Sequence, residues 1–118
     1  MVTRPRNGVG VVEVRCELDM LTAPSLTQLL AQQLAQGCQV LVVDLGGCDF
    51  LGSSGLAVLV EARERAINTS TRLALAGLTR ITSRALQATA IEGLFDIYPS
   101  AGDAVAALGG ESDTQSPE

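Results

Sequence analysis

Apolar and polar positions change their period several times along this chain, and the changes divide it into elements. Over 9–16 they alternate, with Val12, Val14 and Cys16 on one side and Val11, Glu13 and Arg15 on the other, which predicts a half-exposed strand. Leu26, Leu29, Leu30 and Leu34 then recur at helical spacing, with Pro24 near the start and Gly37 placed to stop the helix. Residues 40–45 are an apolar run broken only by Asp44, as expected of a central strand covered on both faces. A loop over 46–52 leads into an amphipathic helix over 54–68. Beyond it, 72–77 predicts a short strand, 80–91 a helix stopped by Gly93, and 95–98 a brief last strand. Ser100 is placed to cap a final helix through Leu108. Residues 1–7 read as an N-terminal arm, and the polar 109–118 as a disordered tail.

Strand and helix alternate four times. That order predicts one α/β domain over 1–108, with about four helices on a mostly parallel, mixed sheet of four to five strands. In open sheets of this kind, sites gather at the carboxyl ends of the strands. The loop 46–53, after the most buried strand, is therefore the place to look for function.

Composition narrows the chemistry. Hydrophobic residues make up 47% of the 118, yet Phe50, Phe95 and Tyr98 are the only aromatics, so the core must be aliphatic. No apolar run approaches the ~20 residues that span a bilayer, and no signal peptide opens the chain, which points to the cytoplasm. A net charge of −5 and few aromatics argue against nucleic acid and for a basic patch on another protein. The chain has no histidine, and all eight of its basic residues are arginine. That removes Ser-His and Cys-His nucleophiles, His-ligated metals, the Walker lysine and Schiff-base chemistry. No catalytic residue, metal or cofactor is expected. Cys16, Cys38 and Cys48 are odd in number and lack metal-ligand spacing, so they read as reduced, buried thiols. The sharper alternative makes Cys48, or Cys16, a redox switch.

At roughly 100° per residue, the helix after the loop gathers Leu56, Leu59, Val60, Ala66 and Ile67 on one face, with Arg63 snorkelling from it. Ser54, Val58, Glu61 and Arg65 fall on the outward side, and Ser53 nearer the core. Ser54 would then be an exposed hydroxyl at a helix start. A phosphate there would meet unpaired backbone N–H groups and the positive end of the helix dipole. A plain capping serine has the same spacing. An esterase elbow is excluded, because Gly52-Ser53-Ser54-Gly55 is not G-x-S-x-G and no histidine can act as base.

The segment Asp49-Phe50-Leu51-Gly52-Ser53-Ser54-Gly55-Leu56 resembles the signature of the STAS domains of bacterial anti-sigma-factor antagonists. Glu17-Leu18-Asp19 with Thr22-Ala23 resembles the family's first loop, and Val42-Val43-Asp44-Leu45 its central strand. Gly93-Leu94-Phe95-Asp96-Ile97-Tyr98, with Ala104 and Ala107-Leu108, resembles its C-terminal end. The resemblance implies a partner-switching protein, not an enzyme. Unphosphorylated, it would bind an anti-sigma factor that is itself a serine kinase, freeing a sigma factor. Phosphorylation would switch it off, and a serine phosphatase would reset it. The acceptor aligns with Ser54, Ser53 being the fallback, and Asp19 with an acidic residue near the acceptor. ATP would belong to the kinase. Many members carry an aspartate where this chain has Gly52, and that carboxylate is missing here. The implied partner surface is the loop 46–53 with Asp49, Gly52 and Ser53, the helix positions Ser54, Gly55, Val58 and Glu61, and Asp19. Two other readings are a phosphorylation-independent or redox-gated scaffold on the same fold, and an enzyme using Asp19, Asp44 or Asp49.

Overall fold

The computed structural model describes residues 1–3 and 8–109. Its strands are β1 (Val2–Thr3), β2 (Val9–Glu13), β3 (Val40–Asp44), β4 (Arg72–Ala76) and β5 (Asp96–Tyr98). Its helices are α1 (Ala23–Ala35), α2 (Ser53–Asn68), α3 (Arg80–Ala88) and α4 (Ala101–Ala104), and α4 runs on through a π-helical turn, Val105–Gly109. The strands lie side by side in chain order. β1 runs antiparallel to β2, and the other neighbours are parallel. This is the mixed α/β sheet expected, with one correction: part of the N-terminal arm, Val2–Thr3, is an edge strand. Of the tail, only Gly109 lies within the described residues, and it is the buried end of the last helical turn.

Each parallel crossover joins adjacent strands. Right-handed connections therefore place α1, α2 and α3 on the same side of the sheet. That side holds the main core, in which Val12, Val14, Leu41, Val43 and Leu75 pack with Leu26, Leu30, Leu59 and Leu86. The opposite face is smaller. Val9, Val11, Val40, Val42, Ala74 and Ala76 pack there under Ala104 and Leu108. This second layer corrects the expectation for β2. Val11 is buried, not half-exposed, because the C-terminal helix covers the face that alternation alone assigns to water.

Helix ends follow local chemistry. Gly37, at φ +81°, stops α1 as expected. α3 ends earlier than Gly93 suggests: Ala90 adopts φ +58°, and the Ile91 N–H donates to the carbonyl of Leu86. A left-handed alanine does the work expected of glycine. At the other end of α3, Thr79 and Thr82 form a reciprocal capping box.

Candidate functional site: two stapled loops and a serine pair

The β2–α1 loop and the β3–α2 loop meet at the carboxyl end of the sheet, and Leu18 joins them. The Leu18 N–H donates to the Phe50 carbonyl at 2.8 Å, and the Gly52 N–H donates to the Leu18 carbonyl at 3.0 Å. These bonds form an isolated parallel bridge between Leu18 and Leu51, both buried. The Cys48 thiol donates to the same Phe50 carbonyl at 3.1 Å. Gly55 lets the first turn of α2 settle onto this bridge. A Cβ there would lie 2.8 Å from the Leu18 Cβ and 2.8 Å from the Leu51 Cδ1.

Gly52 is the N-cap of α2, so Ser53 and Ser54 form its opening turn. The first closing bond runs from the Leu56 N–H to the Gly52 carbonyl at 3.0 Å. The N–H groups before it point out of the helix start. Among the described residues neither serine hydroxyl takes part in a hydrogen bond. The expected exposures are reversed: Ser53 is the exposed serine and Ser54 is half-buried. Val58, expected on the outer stripe, is buried, whereas Ile67, expected in the core, is 56% exposed. One cause explains all three. α1 packs beside α2, and Val58 and Ala62 meet Thr27, Leu30, Ala31 and Leu34 in the seam. α2 therefore buries one stripe on the sheet and a second on its neighbour, which turns its buried arc toward Val58 and leaves Ser53 and Ile67 outside. Glu61 is exposed as expected. Arg63 emerges from the core face, and its Nε donates to the Leu94 carbonyl at 2.8 Å.

Asp19 lies in the neighbouring loop, where its carboxylate is held by local donors. Oδ1 accepts from the N–H of Leu21 at 2.9 Å, the N–H of Thr22 at 3.1 Å and the Thr22 hydroxyl at 3.2 Å. The bond from the Thr22 N–H, followed by that from Leu21, lowers the Asp19 pKa below the usual 3.8. Asp44 is likewise engaged, accepting from the Gly46 N–H at 2.9 Å. Both carboxylates thus hold their own turns. Asp49 is exposed beside Phe50. Cys48 is 1% exposed, and burial raises its thiol pKa above 9.0. Cys16 is half-buried, and all three cysteines are free. Among the described residues no group of His, Cys, Asp and Glu side chains is arranged to hold a metal ion, and no helix is long and apolar enough to cross a membrane.

The two joined loops carry features that periodicity did not reveal. Met20 is 78% exposed, Leu21 87% and Phe50 47%. The Phe50 ring lies over Gly52, where a Cβ would come within 2.9 Å of its Cε2. Helical and strand periods say nothing about loop residues. The available signal was the adjacent pair Met20-Leu21, set in a loop between Asp19 and the start of α1.

A doubly stapled loop pair at one end of such a sheet, with a serine pair opening the second helix, defines a class. The STAS domain model matches residues 1–104, and the chain belongs to that family. Within it the likeness is to anti-sigma factor antagonists. The anti-sigma-F factor antagonist RsfB of Mycobacterium tuberculosis is 29% identical over 104 residues, 88% of this chain and 84% of the relative. A crystal structure of an anti-sigma factor antagonist from Mycobacterium paratuberculosis is 33% identical, with a TM-score of 0.82 and 91% of each chain covered. Unphosphorylated SpoIIAA, at 14% identity and a TM-score of 0.79 over 92% of this chain and 96% of its own, shares the fold.

Proposed function

We propose that this protein is an anti-anti-sigma factor working in the cytoplasm. Unphosphorylated, it binds an anti-sigma factor of the serine-kinase type and so releases a sigma factor. Phosphorylation in the serine pair ends that binding, and a serine phosphatase restores it. The reading rests on the family and, in this chain, on one observation: two serine hydroxyls without hydrogen bonds in the opening turn of α2, on a loop pair fixed to the sheet. The contact surface comprises Asp19, Asp49, Gly52, Ser53, Ser54 and Glu61, while Gly55, buried against Leu18 and Leu51, acts by seating the opening turn. Val58 acts indirectly, holding α2 against α1 from within the seam.

Ser54 is the acceptor by alignment. Its partial burial requires the kinase to draw the hydroxyl outward or to close over the helix start, and Ser53 is the more open of the two. A phosphate adds about −1.5 to −2 charge with a tightly held hydration shell. Covering it in a protein interface without matched donors is costly, and affinity falls. The redox-gated alternative has less support, since a buried thiol with a raised pKa is a poor nucleophile toward oxidants.

The test is binding to a panel of purified anti-sigma kinases from the same cell, using wild type, Ser54→Ala and Ser54→Asp. One kinase should hold wild type and Ser54→Ala alike and lose Ser54→Asp by roughly fivefold or more, about 1 kcal/mol. Incubation with ATP followed by mass spectrometry of the Ser53→Ala and Ser54→Ala variants then assigns the acceptor. Equal binding of all three proteins would remove Ser54 as the control point. Binding of none would leave a fold without this function.

A further inference from the structure

Three large apolar side chains stand exposed at this end of the sheet: Met20 at 78%, Leu21 at 87% and Phe50 at 47%. They belong to two loops, but these are not independent loops. The bonds between Leu18, Phe50 and Gly52 fix Phe50 relative to the segment that carries Met20 and Leu21. Leu21 is held further by its own N–H, which donates to Asp19 at 2.9 Å. A tethered backbone costs little further to order when covered, so covering this leucine pays chiefly the side-chain part of the ordering cost.

Charge frames the patch. From Cys16 through Ala62 the chain has carboxylates at Glu17, Asp19, Asp44, Asp49 and Glu61 and no basic residue. Asp19 adjoins Met20 and Asp49 adjoins Phe50 directly in sequence, and Glu17 lies three residues before Met20. An apolar centre with a rim of one sign is the usual build of a specific protein interface.

Resting on the function proposed above, we propose that Met20, Leu21 and Phe50 form the apolar anchor of the anti-sigma interface and decide which anti-sigma factor is accepted. The complementary surface is an apolar projection flanked by arginine or lysine, the cations meeting Glu17, Asp19 and Asp49 at the rim. The same arrangement explains how the switch breaks the complex. The rim attracts cations, but a phosphate on the serine pair adds about −1.5 to −2 charge beside Phe50, and the helix-start N–H groups do not replace the water lost from the oxygens that face the partner.

The experiment measures affinity for the same kinase panel with Met20→Ser, Leu21→Ser and Phe50→Ser, and with Ile81→Ser as control. Ile81 is 50% exposed on α3, outside these two loops. Leu21→Ser should weaken the kinase that binds wild type by tenfold or more. Met20→Ser and Phe50→Ser should each weaken it severalfold, and Ile81→Ser should leave it unchanged. Melting temperatures should match wild type for Met20→Ser and Leu21→Ser, since both side chains lie in solvent. Association of wild type should slow as salt is raised, through screening of the rim. If wild type binds a kinase and the three loop variants bind it equally well, the anchor is overturned while the function stands. A loss with Ile81→Ser equal to that with Leu21→Ser also overturns it, because the contact would then be unspecific. If wild type binds no kinase, the function fails and the anchor falls with it.

Discussion

A methyl group at position 55 has nowhere to go. Because a Cβ there would press on both Leu18 and Leu51, Gly55→Ala should destabilise the fold by about 1–3 kcal/mol, the usual range for overpacking, measured by urea unfolding. It should also weaken partner binding, since relief requires α2 to lift from the loop bridge. Position 52 behaves differently. There the obstacle is the rim of an exposed phenyl ring, which can swing away, so Gly52→Asp should fold normally and displace Phe50. Residue-level reading of the sequence finds the segments where chemistry is local. The serine pair stands out by type and position and Asp19 by resemblance, and the structure brings both segments to the joined loops. The same reading failed where orientation depends on a neighbour: helical projection cannot know that α1 lies against α2, so it sent Val58 outward and Ser53 inward. Acidity should also act through Asp19. Its folded pKa is lowered, so its contribution to stability is complete above pH 3.8 and is lost as pH falls below that toward the folded value.

The two ends of α3 make opposite predictions. The capping box at Thr79 satisfies the start of the helix, and Thr79→Ala should cost about 1 kcal/mol. At the other end, Ala90 sits at φ +58°, where a side chain is disfavoured by about 1–2 kcal/mol. Ala90→Gly should therefore raise stability by up to about 1 kcal/mol, a gain checked by a shift in the urea midpoint at unchanged slope. This terminus also shows why boundaries were less legible than elements. Gly93 is the obvious stop signal, yet the chain turns at Ala90 because Ile91 is drawn back to Leu86. The strands and the order of elements were readable, since continuous apolar runs and helical spacing are set by burial against a sheet. The edge strand Val2–Thr3 was not, because two residues carry no period.

At the scale of the molecule, the sheet is covered unequally. Three helices lie on one face, and the other depends on the helix that begins at Ala101. Removing residues 101–118 should expose Val9, Val11, Val40 and Val42 and leave a protein that unfolds or self-associates, as light scattering would show. The loop pair, by contrast, is tied to the frame on both sides, by backbone bonds through Leu18 and by close packing at Gly55. That bracing bears on timing. A signal that had to melt or refold a segment would wait for the segment to rearrange, whereas a charge placed on a braced turn acts on arrival. On the proposed reading, the response is then as fast as phosphoryl transfer and partner departure allow. Amide exchange should differ between the two phosphorylation states only around the opening turn of α2, leaving the remainder of the molecule as a silent chassis for a one-residue message.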